Sequence, residues 1–367
     1  MTNHDICYTI ALLAVDGVGP TRCRRLMAAF GNAEAVLKAS YNDLIHIEDI
    51  GEQTANSIVS AKAQLSDAEK VCEQVEKLGL TLLSDSNPDY PEPLKQISDP
   101  PILLYAKGKL KPQWDRAIAI VGSRLATEYG KKIAYQLGDE FSSNGWTVVS
   151  GMAIGIDGAA HKGAIAGLIG STVAVLGCGL DIVYPPQHKE LMQHIEEHGL
   201  LLSEYPPGLQ PDARFFPQRN RIISGLTVGT IVVEARERSG ALLTADSALE
   251  QNRDLFAVPG LVSSHLSRGP HRLIQKGAKL ITCAEDVIGE YQSREALRPK
   301  PKVKVAELSA EARKMAEILQ SEAMTADKLS EKTGMGIGQL LAHLTDMQLK
   351  NLVVTVGSEF HWNGGKV

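Results

Sequence analysis

The stretch Ala117-Ile-Ala-Ile-Val-Gly-Ser-Arg124 decides the fold class, because an unbroken apolar run ends abruptly in a Gly-Ser turn. A helix is predicted to begin shortly after that turn, near Thr127. A buried strand that leads into a helix through a tight turn is the repeating unit of an α/β fold. Further apolar runs, with helical stretches between most of them, follow the same pattern: Ile102–Tyr105, Trp146–Ser150, Thr172–Leu176, Leu200–Ser203, Thr230–Ala235 and Leu255–Val258.

Near-continuous apolar strands that alternate with helices predict a parallel sheet that is covered on both faces. Ligands of such sheets bind at the carboxyl ends of the strands. The sequence therefore predicts an α/β fold with an extended Rossmann-like parallel sheet core over residues 81–293. Residues 80–110 are rich in proline and are predicted to connect this core to what precedes it.

Residues 1–80 are predicted to form an all-α domain that resembles a helix-hairpin-helix or SAM-like module. Two glycine-containing turns, 15–20 and 47–51, each precede a helical stretch, and free N–H groups at such helix starts suit a phosphate. Asp49 occupies the place of a glycine in the second turn, and its carboxylate would repel phosphate. We therefore favour a helical scaffold over a DNA contact here.

The C-terminal region is predicted to be a charged linker over residues 294–304 and a winged-helix domain over residues 305–367. Its three helices are expected near 308–320, 325–333 and 336–348, with a two-stranded wing after them. The third helix would read DNA in a winged-helix domain, but it contains no Lys or Arg and carries Asp346. We therefore interpret this domain as a protein-contact module.

The composition limits the function classes. The 367 residues carry a formal net charge of −5, so a nucleic-acid ligand would need a local basic patch. No apolar run reaches the ~18–20 residues of a membrane span, and no signal peptide is recognisable. The scattered cysteines, without a CxxC pair, indicate a reducing compartment and no zinc site: Cys7, Cys23, Cys72, Cys178 and Cys283. We expect a cytoplasmic protein without a membrane or metal partner.

Two of the strand-end loops are suited to an anion. Gly122, Ser123 and Arg124 combine helix N-terminal N–H groups, a hydroxyl and a guanidinium that can hold phosphate or stack on a base. The second loop, 150–157, is rich in glycine; its Asp157 is expected to cap the following helix. For His161 a structural or phosphate-contact role is favoured over catalysis, because no nucleophile stands at a recognisable spacing.

The segment Arg214-Phe-Phe-Pro-Gln-Arg-Asn-Arg221 is the richest in chemistry. Cations that follow a backbone and rings that stack on bases are what a single-strand site needs. The alternative is that both phenylalanines belong to the core and that an arginine forms a structural ion pair. A last strand-end motif, Ser239-Gly240, opens another helix, and Glu234 before it is either a catalytic carboxylate or, as we prefer, the partner of an arginine.

Taken together and in order, these segments resemble the DNA-processing protein family DprA, also called Smf. The chain departs from the family at His271, where asparagine is common. The shared blocks are 121–124, 150–161, 172–176, 184–185, 203–208, 216–226, 239–240, 257–260 and 273–278.

The resemblance implies a homodimer that binds and protects incoming single-stranded DNA and loads the RecA recombinase onto it during natural transformation. It implies no catalytic residue and no cofactor, and it places DNA contacts around the Gly-Ser-Arg turn and the 214–221 segment. The predicted DNA-binding residues are Gly122, Ser123, Arg124, Ser150, Gly151, Lys162, Arg214, Phe216, Arg219, Asn220, Arg221, Ser239 and Gly240.

An enzyme is the alternative: a nucleotide-binding or nucleotide-hydrolysing Rossmann protein similar to phosphoribohydrolases, with Glu234 as acid and base. That class usually carries a Pro-Gly-Gly turn before its Gly-Thr, and the sequence around Gly229-Thr230 lacks it. An NAD-dependent enzyme is disfavoured because no GxGxxG follows the first strand. The predicted function is therefore a non-enzymatic recombination mediator.

Overall fold

The computed structural model describes residues 3–61, 65–109, 111–167, 171–297, 309–349, 352–356 and 358–362. Two compact units divide the chain, one over residues 1–287 and one over residues 288–367. The domain boundaries predicted within these units stay predictions. The linker predicted over 294–304 is helical over 294–297, and its remainder lies outside the described residues.

A mostly parallel sheet with the order β1-β2-β6-β5-β4-β3-β7-β8-β9 forms the centre of the first unit. Pairing is parallel from β6 to β9 along this order, and antiparallel where β2 joins β1 and β6. The strands are β1 (Thr81–Ser84), β2 (Leu103–Gly108), β3 (Ala117–Val121), β4 (Thr147–Ser150), β5 (Ser171–Leu176), β6 (Leu200–Ser203), β7 (Gly229–Val232), β8 (Asp254–Ala257) and β9 (Lys279–Leu280).

Helices cover both faces of this sheet, as the sequence predicts. Along β5, Val173 and Val175 pack into one hydrophobic cluster while Ala174 and Leu176 pack into another, because successive side chains of a strand point to opposite faces. The helices of this region are α7 (Glu128–Ser143), α8 (Ile156–Ala166), α9 (Lys189–His198), α10 (Phe215–Gly225), α11 (Gly240–Glu250) and α12 (Arg268–Gln275). A further helix, α13 (Glu285–Leu297), includes the boundary between the two units.

Two strands were not predicted, and one runs against the prediction. β1 lies inside the proline-rich connector, and its short run without alternation gives little signal. β9 has two exposed residues. β2 was expected to be parallel, but the connector returns the chain in the opposite direction, and β2 pairs antiparallel with both neighbours.

The strand order creates one crevice. From β3 the chain moves outward through β4, β5 and β6, and then returns so that β7 pairs with the other side of β3. The loops after β3 and β7 therefore leave the sheet in opposite directions. A crevice opens between loops at such a switch point, where ligands of open α/β sheets bind.

The N-terminal region is helical, as predicted. Gly17 and Asp49 take the left-handed conformation in the two turns, and Arg25 forms an ion pair with the Asp49 carboxylate. A disulfide joins Cys7 to Cys72, although the scattered cysteines indicate a reducing compartment; the partners are 65 residues apart and no short motif marks them. The helices are α1 (Asn3–Leu13), α2 (Pro20–Phe30), α3 (Ala33–Lys38), α4 (Tyr41–Ile45), α5 (Glu52–Ser60) and α6 (Leu65–Lys77).

The second unit has the predicted winged-helix order. Its apolar core includes Met315, Leu329, Leu340 and Leu344, so all three helices contribute to one cluster. The elements are α14 (Ala310–Ser321), α15 (Ala326–Thr333), α16 (Ile337–Leu349), β10 (Val353–Val356) and β11 (Glu359–Trp362). Among the described residues, no helix combines the length and the apolar character that crossing a bilayer requires.

Candidate nucleic-acid interface

A groove of about 400 Å³ lies at the carboxyl ends of β3 and β7, in the crevice of the switch point. The turn after β3, the first turns of α10 and the start of α11 form its walls. It brings together eight of the predicted contact residues: Gly122, Ser123, Arg124, Phe216, Arg219, Asn220, Ser239 and Gly240.

The Glu234 carboxylate fixes the groove wall. It lies just beyond β7, is 4% exposed, and accepts hydrogen bonds from the Thr127 backbone N–H at 2.8 Å and the Thr127 hydroxyl at 2.6 Å. Thr127 in turn caps α7 through Gly130. The Glu234 carbonyl accepts from the Ser123 N–H at 2.7 Å, and a side chain at Gly122 would meet that same oxygen at 2.9 Å. Glycine is therefore required for the two loops to cross.

Arg219 forms the floor. Its guanidinium is buried and donates hydrogen bonds to the carbonyl of Gly151, at 2.9 Å, and to that of Val175. A side chain at Gly151 would lie 2.6 Å from the guanidinium, so this glycine admits the arginine. Burial lowers the pKa of Arg219 to about 10, which leaves it charged at neutral pH. Arg219 therefore places a buried positive charge at the floor of the groove, where Asp157 also lines the wall.

A stack of planar groups stands at the groove mouth. The Arg124 guanidinium carbon lies 4.8 Å from the centre of the Phe216 ring, a cation–π distance. Phe216 also stacks on Tyr184, with ring centres 5.5 Å apart and planes inclined by 24°. Arg124 is exposed, whereas Phe216 and Tyr184 are half-buried, so the guanidinium is the member of the stack most open to solvent. An unpaired base can extend such a stack on the side of the exposed guanidinium.

The start of α11 forms the opposite wall. Ser239 is its N-cap residue but makes no side-chain capping bond, and no acidic residue lies in the first turn. Asn220 connects this turn to α10, because its side-chain amide donates to the Gly240 carbonyl at 3.3 Å. Unpaired N–H groups at a helix start attract anions.

The structure separates the remaining predicted contacts from the groove. Ser150 is fully buried, and its hydroxyl donates to the Ile120 carbonyl at 2.6 Å. Gly151 serves the packing of Arg219. Lys162 and Arg214 are exposed but do not line the groove, and Arg214 forms an ion pair with Asp212 at 3.0 Å. Ser150 and Gly151 therefore shape the site from below and do not face a ligand.

The prediction that Arg221 contacts DNA is the one that the structure corrects most clearly. Its guanidinium forms ion pairs with Glu204 at 2.7 Å and with Asp99 at 2.8 Å, and its side chain is only 12% exposed. Burial raises the pKa of Glu204, while Arg221 opposes that shift and keeps the charge paired. Arg221 holds α10 against the end of β6 and is not available to a phosphate in this structure.

The side chains that could act as catalytic groups are unsuited to catalysis. His161 is fully buried beside the Thr172 hydroxyl, 2.6 Å away, and burial lowers its pKa to about 3. Burial raises the pKa of Cys178 to about 11, which keeps the thiol protonated. Asp157 does not cap α8 as expected; it lies within the helix and accepts from the Ala153 N–H at 3.4 Å. In the described part of the chain, no cluster of three metal-ligating side chains occurs.

The groove residues that sequence reasoning missed include Arg236 and Leu243. Arg236 lines the groove from the loop after β7, and Leu243 lines it from α11 and is 47% exposed. The signal for Arg236 was a cation directly after a predicted strand end, the same signal that identified Arg124. Leu243 carries no comparable signal, because an apolar residue in a helix is ordinarily part of a core.

Fold and groove define a class: a Rossmann-like α/β protein with a cation–aromatic stack at its switch point. The family model described as DNA recombination-mediator protein A matches residues 81–292. A helix-hairpin-helix motif matches residues 9–64, and a DprA winged helix domain matches residues 299–357. The chain therefore belongs to the DNA recombination-mediator protein A (DprA/Smf) family, which confirms the resemblance found in the sequence.

Curated relatives agree with this assignment. The DNA processing protein DprA of Bacillus subtilis (strain 168) is 44% identical over 61% of this chain and 75% of its own length. Protein Smf of Escherichia coli (strain K12) is 38% identical over 71% of this chain and 70% of its own length.

Solved structures of the family agree as well. DprA from Streptococcus pneumoniae matches with a TM-score of 0.64 and 36% identity, covering 79% of this chain and 98% of that one. DNA processing protein A from Helicobacter pylori, a structure concerned with its single-stranded DNA binding mode, matches with a TM-score of 0.53 and 30% identity over 59% of this chain and 96% of that one.

Replacement of Arg221 should destabilise the protein, whereas replacement of Arg124 should leave its stability nearly unchanged. Arg221→Ala leaves Glu204 buried without its partner, and we expect the free energy of unfolding to fall by about 3–5 kcal/mol. Arg124→Ala removes an exposed side chain and should change it by less than about 0.5 kcal/mol. Urea denaturation followed by circular dichroism measures both. A second variant, Arg221→Met with Glu204→Gln, removes both charges and should recover much of the loss. Equal stability of Arg221→Ala and wild type would contradict the structural role.

The buried His161 predicts a pH dependence of stability. Its folded pKa is about 3, whereas an unfolded histidine titrates near 6.5. Below about pH 6.5 the unfolded state gains a proton that the folded state excludes, so the free energy of unfolding falls as the pH drops toward 3. His161→Gln should show a shallower fall between about pH 6.5 and 5, by up to roughly 1.4 kcal/mol per pH unit. Parallel curves for the two proteins would show that His161 titrates normally.

Proposed function

We propose that this protein is a single-stranded DNA-binding recombination mediator and that the switch-point groove holds the strand. The observation that carries the proposal is the Arg124 guanidinium stacked on Phe216 at the mouth of a groove with the buried charge of Arg219 at its floor. Cations suit the phosphates, and the exposed guanidinium at the end of the stack suits a base. The groove contacts include Ser239 and Gly240 at the helix start, with Asn220 positioning them.

A single strand fits this site better than a duplex. A base can join the Arg124–Phe216 stack only if its own face is free, and in a duplex that face is covered by the neighbouring base pairs. Stacking also ignores base identity, because every base has a π face. Sequence-tolerant binding of unpaired strands is what a protein that handles incoming DNA requires.

Loading of a recombinase onto the bound strand is the more specific part of the proposal. Relatives named DNA processing protein DprA, and a solved relative described by its single-stranded DNA binding mode, support a mediator role. From the family we infer a homodimer that protects incoming strands and loads RecA during natural transformation, without catalysis and in the cytoplasm. Lys162 and Arg214 are exposed and stay proposed contacts for parts of the strand outside the groove.

The enzymatic alternative has one specific observation against it. A nucleotide hydrolase would need a carboxylate that reaches a substrate, but both oxygens of Glu234 accept hydrogen bonds from Thr127 and the residue is buried. Incubation of the protein with nucleoside monophosphates tests this directly. No free base is expected; turnover that is lost in Glu234→Gln would favour the enzyme instead.

Arg124→Ala should weaken single-strand binding by about 1–3 kcal/mol, since a charge-assisted contact is lost. Fluorescence anisotropy with a labelled oligothymidine and with a duplex measures the change. Arg116→Ala is the matched control, because Arg116 is an exposed arginine at the opposite end of the same strand, β3. Equal binding by Arg124→Ala, Arg116→Ala and wild type would overturn the groove assignment, and so would a preference for duplex.

Phe216→Ala should weaken binding by about 1–3 kcal/mol if a base joins the stack. Phe216→Leu keeps apolar volume but removes the ring, so it should lose nearly as much. Both variants are checked for native circular dichroism before titration. Wild-type affinity in a folded Phe216→Ala protein would assign the ring to the packing of Tyr184 alone.

A further inference from the structure

We infer that the bound strand continues past the switch-point groove, across the start of α11, onto a basic track between α11 and α12. The track consists of Arg238, Arg272 and Lys276 in a second hollow, with Arg268 beyond it. Its ligand would be the phosphates of the same single strand, so the inference rests on the proposed function.

The two hollows adjoin each other at the start of α11. Ser239, Gly240 and Leu243 line both the switch-point groove and the second hollow, which has a volume of about 490 Å³. A third, shallower hollow shares Arg272 with the second and adds Arg268. A chain that leaves the groove over Ser239, Gly240 and Leu243 therefore reaches the track directly.

The cations of α12 form a stripe. Arg268, Arg272 and Lys276 are spaced four residues apart and are all exposed; Arg268 begins α12 and Lys276 is its C-cap residue, so the three lie along one face of the helix. Like charges at this spacing destabilise a helix, each pair by a few tenths of a kcal/mol. An anionic chain on this face offsets that repulsion, and the cations rise about 6 Å apart along the axis, a spacing that successive phosphates can follow.

The acidic residues of the hollow leave the track basic. Glu237 and Asp246 are the carboxylates that line it, against Arg238, Arg272 and Lys276. Arg268 adds a further positive charge in the adjoining hollow. Phosphates that follow the α12 stripe meet a surplus of positive charge, although the whole chain carries a net charge of −5.

A polar group without a hydrogen-bond partner among the residues that the structure describes lies at the start of α11, the junction between the groove and the track. The Ser239 hydroxyl oxygen is buried and has no hydrogen-bond partner among the described residues, although it stands at the N-cap position where such an oxygen usually bonds the helix start. A phosphate at the α11 start would accept a hydrogen bond from this hydroxyl and from the free N–H groups. The junction therefore has the donors that a turn of the strand backbone needs.

The aliphatic part of the junction suits the sugars and bases. Leu243 is 47% exposed and lines both hollows. An apolar side chain in this position gains no stabilisation from burial unless a ligand covers it. Contact with a base or a deoxyribose covers that surface without reading sequence. The track is thus an extension of the same sequence-tolerant mode of binding.

The test separates the track from the groove by strand length. Oligothymidines of roughly 4 and roughly 16 nucleotides, which bracket common single-strand site sizes, are titrated against the full chain by fluorescence anisotropy at several salt concentrations. The variant combines Arg238→Ala, Arg272→Ala and Lys276→Ala. The control combines Lys38→Ala, Lys70→Ala and Lys95→Ala, which removes the same charge from exposed positions elsewhere.

We expect the track variant to bind the long strand about 10-fold or more weakly, and the short strand within about 2-fold of wild type. The slope of log affinity against log salt should become shallower by about 2 for the long strand only, since each phosphate contact contributes roughly 0.7. An unchanged long-strand affinity and slope, or an equal loss at both lengths or in the control, would overturn the track. Wild-type protein that binds neither strand would instead overturn the proposed function, and the track with it.

Discussion

The buried guanidinium of Arg219 is the interaction on which the site depends. It donates to carbonyls at the ends of β4 and β5, and so it fixes the start of α10 over the sheet edge. A buried charge without such partners would cost several kcal/mol, so the strand ends and α10 must keep this geometry. The result is a rigid floor that holds a buried positive charge, with Phe216 held at the rim, where Tyr184 supports the ring and Arg124 covers it.

The arginines of the α/β core divide into two kinds, and the division explains why a protein of net negative charge can hold DNA. Arg219 is buried and donates to backbone carbonyls, and Arg221 is half-buried and paired with Glu204 and Asp99. Arg124 and Arg236 are exposed at the groove, where their charge remains available to an anion. At this crevice the Glu234 carboxylate is not free to reach a ligand, because it accepts hydrogen bonds from Thr127 and so ties the β7 loop to α7.

The fold could be predicted because its signals are local: apolar runs that end in glycine turns, and helix periodicity after the linker. β1 and β9 escaped because a strand of two to four residues next to prolines or at an edge has almost no period to detect. The site was predicted by residue type, but the role of each arginine was not. Arg221 differs from Arg124 only through Glu204 and Asp99, which come from distant parts of the chain. The Cys7–Cys72 pairing depends on tertiary packing in the same way.

The most direct test of the account is photo-crosslinking of an oligonucleotide containing a halogenated thymine to the full chain, followed by mass-spectrometric mapping of the modified residue. The account predicts crosslinks to Phe216 or to its neighbours at the start of α10, lost on competition with unlabelled single strand but not with duplex. Crosslinks confined to the helix-hairpin-helix turns or to α16, with none at the switch-point groove, would contradict it.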